Sequence, residues 1–344
     1  MEDDIDLKYE PYPDKIDLVN KIFTKGRDLK QNDSFNTCAF NYISKKIKIS
    51  DFPKKLISED FTYSEAVDKI SKNIPQIENE LKTFSLDSPT KENIFKAQEI
   101  QSFVEDKFNN NIDFKEQIVK DIFSLSNNID LWRKVKEDGN DFYRSVMFSW
   151  LEYLIFNNKI NILKILISNL YVKFNPNYIN TKKLGQDLIK QFINEKFEVS
   201  IIVLEIIIQH LSKGDNENAY KTLIKAYNSS KAFDQTMIYY LRYLIYEFLL
   251  ENKNNISNLY LYLPRKYLNL EGDYVIEDYC KNNLLKYSTS PEDFIICLAP
   301  YVLKININLI KYKYNDKEDK ESDIRQYFLW NGFSEERDIN DSII

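Results

Sequence analysis

Apolar residues recur at helical spacing through the middle of the chain. The segment FYRSVMFSWLEYLIF, which follows Asp141, and the segment KINILKILISNLYVKF both repeat apolar positions every three or four residues. Residues 196–212 and 236–251 have the same pattern. A period near 3.6 residues is typical of a helix with one or more buried faces, so the pattern predicts a series of packed helices.

A separate apolar stripe lies nearer the N-terminus, at residues 67–84, with 3-4-3-4-3 spacing interrupted by Pro75. Proline breaks or kinks a helix interior, so the stripe predicts one kinked helix or two short ones. Two interpretations stay open. The helix lies on the core of the domain, or it forms a coiled-coil-like surface for a partner.

The next segment, LDSPTKENIFKAQEIQSFVEDKF, has the signals of a helix start. Asp87 or Ser88 is a good cap, Pro89 suits the first turn, and Glu92 suits the positive end of the helix dipole. The sequence therefore predicts a helix across this segment.

The C-terminal part changes to a two-residue period. SPEDFIICLAPYVL predicts a short helix from Pro291, and KININLIKYKY then alternates as a half-buried strand at 304–313. A charged loop separates it from a second strand near 324–330. Helices followed by a hairpin predict an α/β or α+β globular domain with a C-terminal antiparallel sheet.

Composition narrows the classes of function. The chain has 344 residues, 43% of them hydrophobic, a net charge of −6 and a pI near 5.2. An acidic chain without a basic field is a poor partner for nucleic acid, and no apolar run approaches the roughly 20 residues that span a bilayer. Cys38, Cys280 and Cys297 form no close pair, which excludes a disulfide scaffold and a cysteine zinc site. We expect a cytoplasmic protein in a reducing environment, without cofactor or metal.

The number of histidines in the chain limits the catalytic chemistry that it can perform. The chain has one histidine, His210, at the polar end of an apolar helix. Cysteine and serine hydrolases use a histidine as general base. Because histidine commonly complements the dipole at a helix C-terminus, we interpret His210 as a surface residue.

The turn EDGN feeds directly into a helix, and Asp141 occupies the junction. Helix N-termini stabilise thiolates, so such junctions suit nucleophilic cysteines. RKVKEDGNDFYRSVMFSWLEYLI resembles the nucleophile segment of the otubains, deubiquitinating cysteine proteases of the ovarian-tumour superfamily, whose pattern is an Arg-Lys strand, DGNCFYR and a helix with a Leu-Glu pair. The matching residues are Asp138, Gly139, Asn140, Phe142, Tyr143, Arg144, Leu151 and Glu152. By this resemblance Asp141 replaces the catalytic cysteine.

The resemblance continues to about residue 340. YYLRYLIYEFLLEN is similar to the otubain helix built on YLRLL, and YFLWNGFSEERDI occupies the place of the final strand, whose Pro-Gly-His-Tyr-Asp run carries the catalytic histidine and its acid. Gly332 matches, Phe333 falls on the histidine and Glu335 on the acid. The resemblance implies a papain-type otubain fold over residues 96–344 and an N-terminal extension over 1–95.

These replacements imply a pseudoenzyme. A carboxylate is a weak nucleophile, and phenylalanine cannot transfer a proton. Asp138, Asp141, Phe333 and Glu335 are then vestigial positions with no catalytic role. An acid dyad of Asp138 and Asp141 is disfavoured, because both residues come from one short turn. We interpret Asp141 as a helix cap worth about 1 kcal/mol.

Two functions follow from the resemblance. The first is non-covalent binding of ubiquitin or of the ubiquitin-conjugation machinery, such as a ubiquitin-conjugating enzyme. The alternative is a structural subunit or scaffold of a larger assembly, with the stripe at 67–84 as the docking element.

Overall fold

The computed structural model describes residues 63–71, 92–99, 131–174, 197–251, 276–303, 305, 307–314 and 322–329. Its helices are α1 (Tyr63–Ser71), α2 (Asp141–Phe156), α3 (Ile160–Phe174), α4 (Phe197–Ser212), α5 (Asn216–Ser229), α6 (Lys231–Glu251), α7 (Ile276–Tyr279) and α8 (Asp293–Leu303). Its strands are β1 (Ile94–Glu99), β2 (Leu131–Val135), β3 (Ile307–Tyr314) and β4 (Ser322–Leu329). A π-helical turn, Cys280–Leu284, follows α7 directly.

Helix α6 is the centre of the core. It packs against α2, α4, α5 and α8, and it is buried on nearly every side from Phe233 to Leu249. Helices α2, α3, α4 and α6 confirm the helical pattern of the sequence, although α6 begins at Lys231 rather than at residue 236. Helix α2 buries a broad face that includes Tyr143, Met147 and Leu151, whereas Phe156 at its end is exposed.

The C-terminal hairpin is present as predicted. β3 and β4 pair in antiparallel register, with Ile307 opposite Leu329 and Tyr314 opposite Ser322. The preceding helix, predicted from Pro291, begins at Asp293. Packed helices with antiparallel strand pairs confirm the α+β class.

The helix predicted from Asp87 is wrong in its described part, which is strand β1. β1 pairs antiparallel with β2, Ile94 lying opposite Val135. The side chain of Asn228 in α5 fixes the start of the strand. Its Oδ1 accepts from the backbone N–H groups of Asn93 and Ile94 at 2.9 Å, and its Nδ2 donates to the Ile94 carbonyl at 2.8 Å. These distant contacts outweigh the local helix signals; Asp87, Ser88 and Pro89 lie outside the described residues.

Helix α1 is the described part of the stripe at 67–84, and it lies against α3 and α4. Ala66 is fully buried, the Tyr63 hydroxyl hydrogen-bonds Glu205 of α4, and the Lys164 ammonium of α3 lies 5.1 Å from the centre of the Tyr63 ring. This part of the stripe is therefore laid on the core. The division of the chain at residue 95 stays a prediction.

Among the helices that the structure describes, none combines the length and the apolar character needed to cross a bilayer.

Candidate functional site

The turn at residues 136–140 joins β2 to α2 and fits closely against a second loop. Gly139 has a φ of +78°, and a Cβ atom on it would lie 2.5 Å from the carbonyl oxygen of Ser288. The Ser288 N–H in turn donates to Asn140 Oδ1 at 3.1 Å. Only glycine tolerates both this backbone conformation and this approach, so it sets how the two loops meet.

Arg144, in the first turns of α2, is fully buried and holds the turn from inside. Its guanidinium donates to both carboxylate oxygens of Asp234 at 2.7 and 3.0 Å and to both of Asp138 at 3.0 and 2.9 Å. It also donates to the Lys136 carbonyl at 2.9 Å. Two bidentate pairs on one buried arginine position the turn strongly, because each pair fixes direction as well as distance.

The ion pair determines the charge state of Asp138. Burial alone would raise the pKa of Asp138, but the hydrogen bonds and positive charge of Arg144 outweigh it, and the pKa is held below its ordinary value. The N–H of Asn140 adds a further hydrogen bond to Asp138 at 3.0 Å. Asp138 is therefore an ionised structural carboxylate at neutral pH.

Arg242 of α6 is a second buried arginine at this site. It donates to the carbonyls of Leu284 and Thr289 at 2.5 and 2.8 Å and to Asn140 Oδ1 at 2.8 Å. Its guanidinium also lies 3.8 Å from the centre of the Tyr143 ring. Burial lowers the pKa of Arg242 from its ordinary value. One side chain thus joins the turn, the π-helical turn and the loop after it.

Asp141 is the first residue of α2, as the sequence predicts for the junction, but it is not the cap. Asn140 occupies the cap position, and its side chain makes no capping hydrogen bond. The Asp141 side chain is partly exposed and has no hydrogen bond or ion pair with the described residues. Its stabilising contribution is therefore the interaction of its charge with the helix dipole, about 0.3–1 kcal/mol.

Glu152, the acid of the Leu-Glu pair, links α2 to its neighbours. It accepts from the Tyr220 hydroxyl of α5 at 2.7 Å and lies 3.5 Å from the Arg133 guanidinium of β2. Arg133 donates to the same hydroxyl at 2.6 Å and to the Phe95 carbonyl of β1 at 2.7 Å. Burial and the hydrogen bond to Glu152 raise the pKa of Tyr220 to about 12. This residue of the motif is structural.

The described residues offer poor catalytic groups around Asp141. Asp138 is committed to Arg144, which removes the basis for a proton-sharing dyad. His210 lies in the last turn of α4, as predicted, with its Nδ1 3.4 Å from an oxygen of Asp215. Cys280 is buried, as predicted for a packing residue, and burial raises the pKa of its thiol.

The remaining predicted positions fall outside the described part of the chain. Phe333, Glu335 and Cys38 lie beyond its limits, and the side chain of Cys297 is not described. Their roles stay predictions.

Asp234 and Arg242 are site residues that were not predicted from the sequence. Both are buried inside α6, a helix whose residues from Phe233 to Tyr246 are all buried. A charged residue in a buried helix needs a partner, so their presence there was the available signal.

The fold is that of an otubain-like α+β protein, in which a strand, a glycine turn and a helix N-terminus form the junction at Asp141. A family model described as Peptidase C65 Otubain matches residues 90–327. The chain therefore belongs to the otubain family, a family of cysteine peptidases.

Solved structures share part of this backbone. A complex described as h/ceOTUB1-ubiquitin aldehyde-UBCH5B~Ub is 13% identical, with a TM-score of 0.42, and the match covers 70% of this chain and 83% of that chain. A ceOTUB1 ubiquitin aldehyde UBC13~Ub complex is 13% identical, with a TM-score of 0.40, over 75% of this chain and 99% of that chain. No curated protein matches.

Proposed function

We propose that this protein is a catalytically inactive otubain that binds ubiquitin, or the machinery that conjugates it, without cleaving it. The observation that carries the proposal is Asp141 at the first position of α2, directly after the DGN turn. In the family motif this junction holds the nucleophilic cysteine. A carboxylate there would attack an isopeptide poorly and would need an activating base.

The positions of the histidine and of a buried cysteine also support inactivity. The chain has one histidine, and it lies beside Asp215 at the end of α4. Cys280 is buried with a raised thiol pKa, the opposite of what a nucleophilic thiolate requires. By the resemblance, Asp141 and Phe333 stand at the positions of the nucleophile and the base, and neither side chain suits that role.

The contacts that hold the turn at residues 136–140 support a binding role that does not depend on catalysis. Gly139, Arg144 and Arg242 hold the junction through contacts that do not involve residue 141. The backbone of the junction can thus keep its shape without a cysteine at residue 141. Binding in otubains uses this neighbourhood, so a surface for ubiquitin can persist without the reaction.

The test has a catalytic arm and a binding arm, both on the full chain. Ubiquitin dimers and a fluorogenic ubiquitin C-terminal ester should remain intact across the pH range, while ¹⁵N-labelled ubiquitin should show saturable shifts confined to one face. Cleavage that disappears when Cys38, Cys280 or Cys297 is changed to serine would overturn the inactivity. Absence of shifts at millimolar protein would favour the scaffold alternative instead.

A further inference from the structure

The first residue of helix α1, Tyr63, contacts two other helices. Its hydroxyl donates to the Glu205 carboxylate of α4, which is 142 residues away in the sequence. The Lys164 ammonium of α3 lies over the Tyr63 ring, 5.1 Å from the ring centre. Helix α1 packs on these same two helices. One tyrosine side chain therefore joins α1 to both elements beneath it.

Tyr63 is also the largest of the α1 side chains that the structure describes. Ala66 is fully buried and Val67 is partly buried against the core, whereas Ser64 and Glu65 are exposed. An alanine and part of a valine remove little apolar area from water. A change in the charge of Tyr63 therefore acts on a major part of the described contact between α1 and the core.

The contact with Glu205 requires a neutral tyrosine. Burial, followed by the hydrogen bond and negative charge of Glu205, raises the pKa of Tyr63 above its ordinary value, so the hydroxyl keeps its proton and donates it. A phosphate ester on the same oxygen carries a charge of about −1.5 to −2 at pH 7. Such a group next to an acidic residue disrupts the contact, because the like charges repel.

We propose that Tyr63 is a phosphorylation site, and that its phosphorylation releases α1 from α3 and α4. A tyrosine kinase supplies the γ-phosphoryl group of ATP. The Tyr63 oxygen forms the new bond to phosphorus, the bond to the β-phosphate oxygen breaks, and the hydroxyl proton is lost as ADP leaves. Tyr63 is only partly buried, and a helix of nine residues can open locally without global unfolding, which gives the kinase access.

Lys164 opposes this release, because an ammonium group attracts a phosphate. The two charges differ in position. The Glu205 carboxylate contacts the Tyr63 hydroxyl oxygen directly, whereas the Lys164 ammonium lies over the face of the ring. Electrostatic energy falls with distance, so repulsion by Glu205 exceeds attraction by Lys164. Removal of the Glu205 charge should therefore allow the phosphorylated tyrosine to stay docked.

Amide hydrogen exchange of the full chain, with phosphotyrosine genetically encoded at position 63, tests the release. Amides of residues 64–71 should exchange about tenfold faster than in the unmodified chain, while those of α2 keep their rates. A tyrosine phosphatase should restore slow exchange. In the phosphorylated chain, Glu205→Gln should bring α1 within about threefold of the unmodified rate, because the amide donates to the phosphate. Glu217→Gln, which removes an exposed carboxylate from α5, should leave the fast exchange unchanged.

Two further measurements do not need the encoded phosphotyrosine. Tyr63→Phe removes the hydroxyl alone and should speed α1 exchange about threefold. A broad-specificity tyrosine kinase with ATP should phosphorylate the folded chain at Tyr63, as located by fragmentation mass spectrometry.

Three results would overturn the proposal. The first is α1 exchange in the phosphorylated chain within about twofold of the unmodified rate, or an acceleration that persists in Glu205→Gln. The second is wild-type exchange in Tyr63→Phe, because the hydroxyl contact would then not hold α1. The third is the absence of phosphate at Tyr63 after kinase treatment.

Discussion

Gly139 and Gly214 have nearly the same backbone conformation and very different surroundings. Their φ angles are +78° and +74°. A Cβ on Gly139 would lie 2.5 Å from the Ser288 carbonyl oxygen, whereas one on Gly214 would meet nothing within 4 Å. A substitution at Gly214 therefore measures the cost of the left-handed conformation alone. A substitution at Gly139 measures that cost together with the cost of disturbing the contact between two loops.

We expect Gly139→Ala to lower the free energy of unfolding by about 3 kcal/mol or more, because backbone strain and a backbone clash add. Gly214→Ala should cost about 1 kcal/mol, from conformation alone. Urea denaturation of the two variants measures the difference. Equal costs would mean that the turn and the Ser288 loop are not in contact.

The Arg144–Asp138 pair predicts a pH dependence. The folded-state pKa of Asp138 is depressed, so the stability it contributes is fully present above the unfolded-state pKa of about 3.9 and is lost as the pH falls through the folded-state value. Asp138→Asn should be less stable than wild type at pH 7 and should lose less of its unfolding free energy between about pH 5 and pH 2.

Asp278→Asn is the matched control, since Asp278 is an exposed carboxylate on α7. Its unfolding free energy should follow the wild-type pH profile. A parallel profile for Asp138→Asn as well would show that the ion pair with Arg144 contributes nothing to acid sensitivity.

Single residues show which features of the site could be predicted from the sequence and which could not. The motif placed Asp141 at the helix start, because a glycine turn before an apolar helix is a local signal. The assignment of Asp141 as the cap was wrong by one position, since Asn140 fills that place. One of the two carboxylate partners of Arg144 could not be derived, because Asp234 lies 90 positions away.

At the scale of elements, the periodicity of apolar residues predicted the helices and strands that carry a clear apolar pattern. Helices α2, α3, α4 and α6 bury continuous stripes that are visible in the sequence, and the alternating pattern at 304–313 predicted the hairpin of β3 and β4. Strand β1 has no such stripe. Its helix-like signals are local, whereas the bonds to Asn228 and to β2 that fix it are not.

Asn228 therefore provides a test at this scale. Asn228→Ala removes three hydrogen bonds to the backbone of Asn93 and Ile94, and we expect a loss of about 2–3 kcal/mol in unfolding free energy. Faster amide hydrogen exchange at Ile94 should accompany it.

Asn157→Ala serves as the comparison, because Asn157 Nδ2 donates to the Tyr153 carbonyl in an exposed position. We expect a change within about 0.5 kcal/mol. If Asn228→Ala is equally mild, the three hydrogen bonds of Asn228 do not hold the start of β1.

At the scale of the whole molecule, the candidate site is a meeting point of elements distant in sequence. The turn before α2, helix α6, the π-helical turn and the loop after it converge on Arg144 and Arg242. None of these contacts uses the side chain of residue 141. The geometry of the junction therefore does not depend on the side chain of residue 141, which is the physical basis for the proposed inactivity.

Restoring the reaction tests this account most directly. If the junction keeps the otubain geometry, Asp141→Cys combined with Phe333→His should recreate a cysteine–histidine pair, because the helix N-terminus favours the thiolate and the imidazole accepts its proton. Either change alone should do little. A ubiquitin-based thiol probe is the most sensitive readout, since a misplacement of about 1 Å can slow turnover around a hundredfold.

We expect covalent labelling of the double variant and none of the wild-type chain, whose three cysteines serve as internal controls. Alkylation by a small reagent across pH reports separately whether the new thiol is activated. A folded double variant that reacts with the small reagent and ignores the ubiquitin probe would contradict the central claim, because the junction would then exist without a ubiquitin surface beside it.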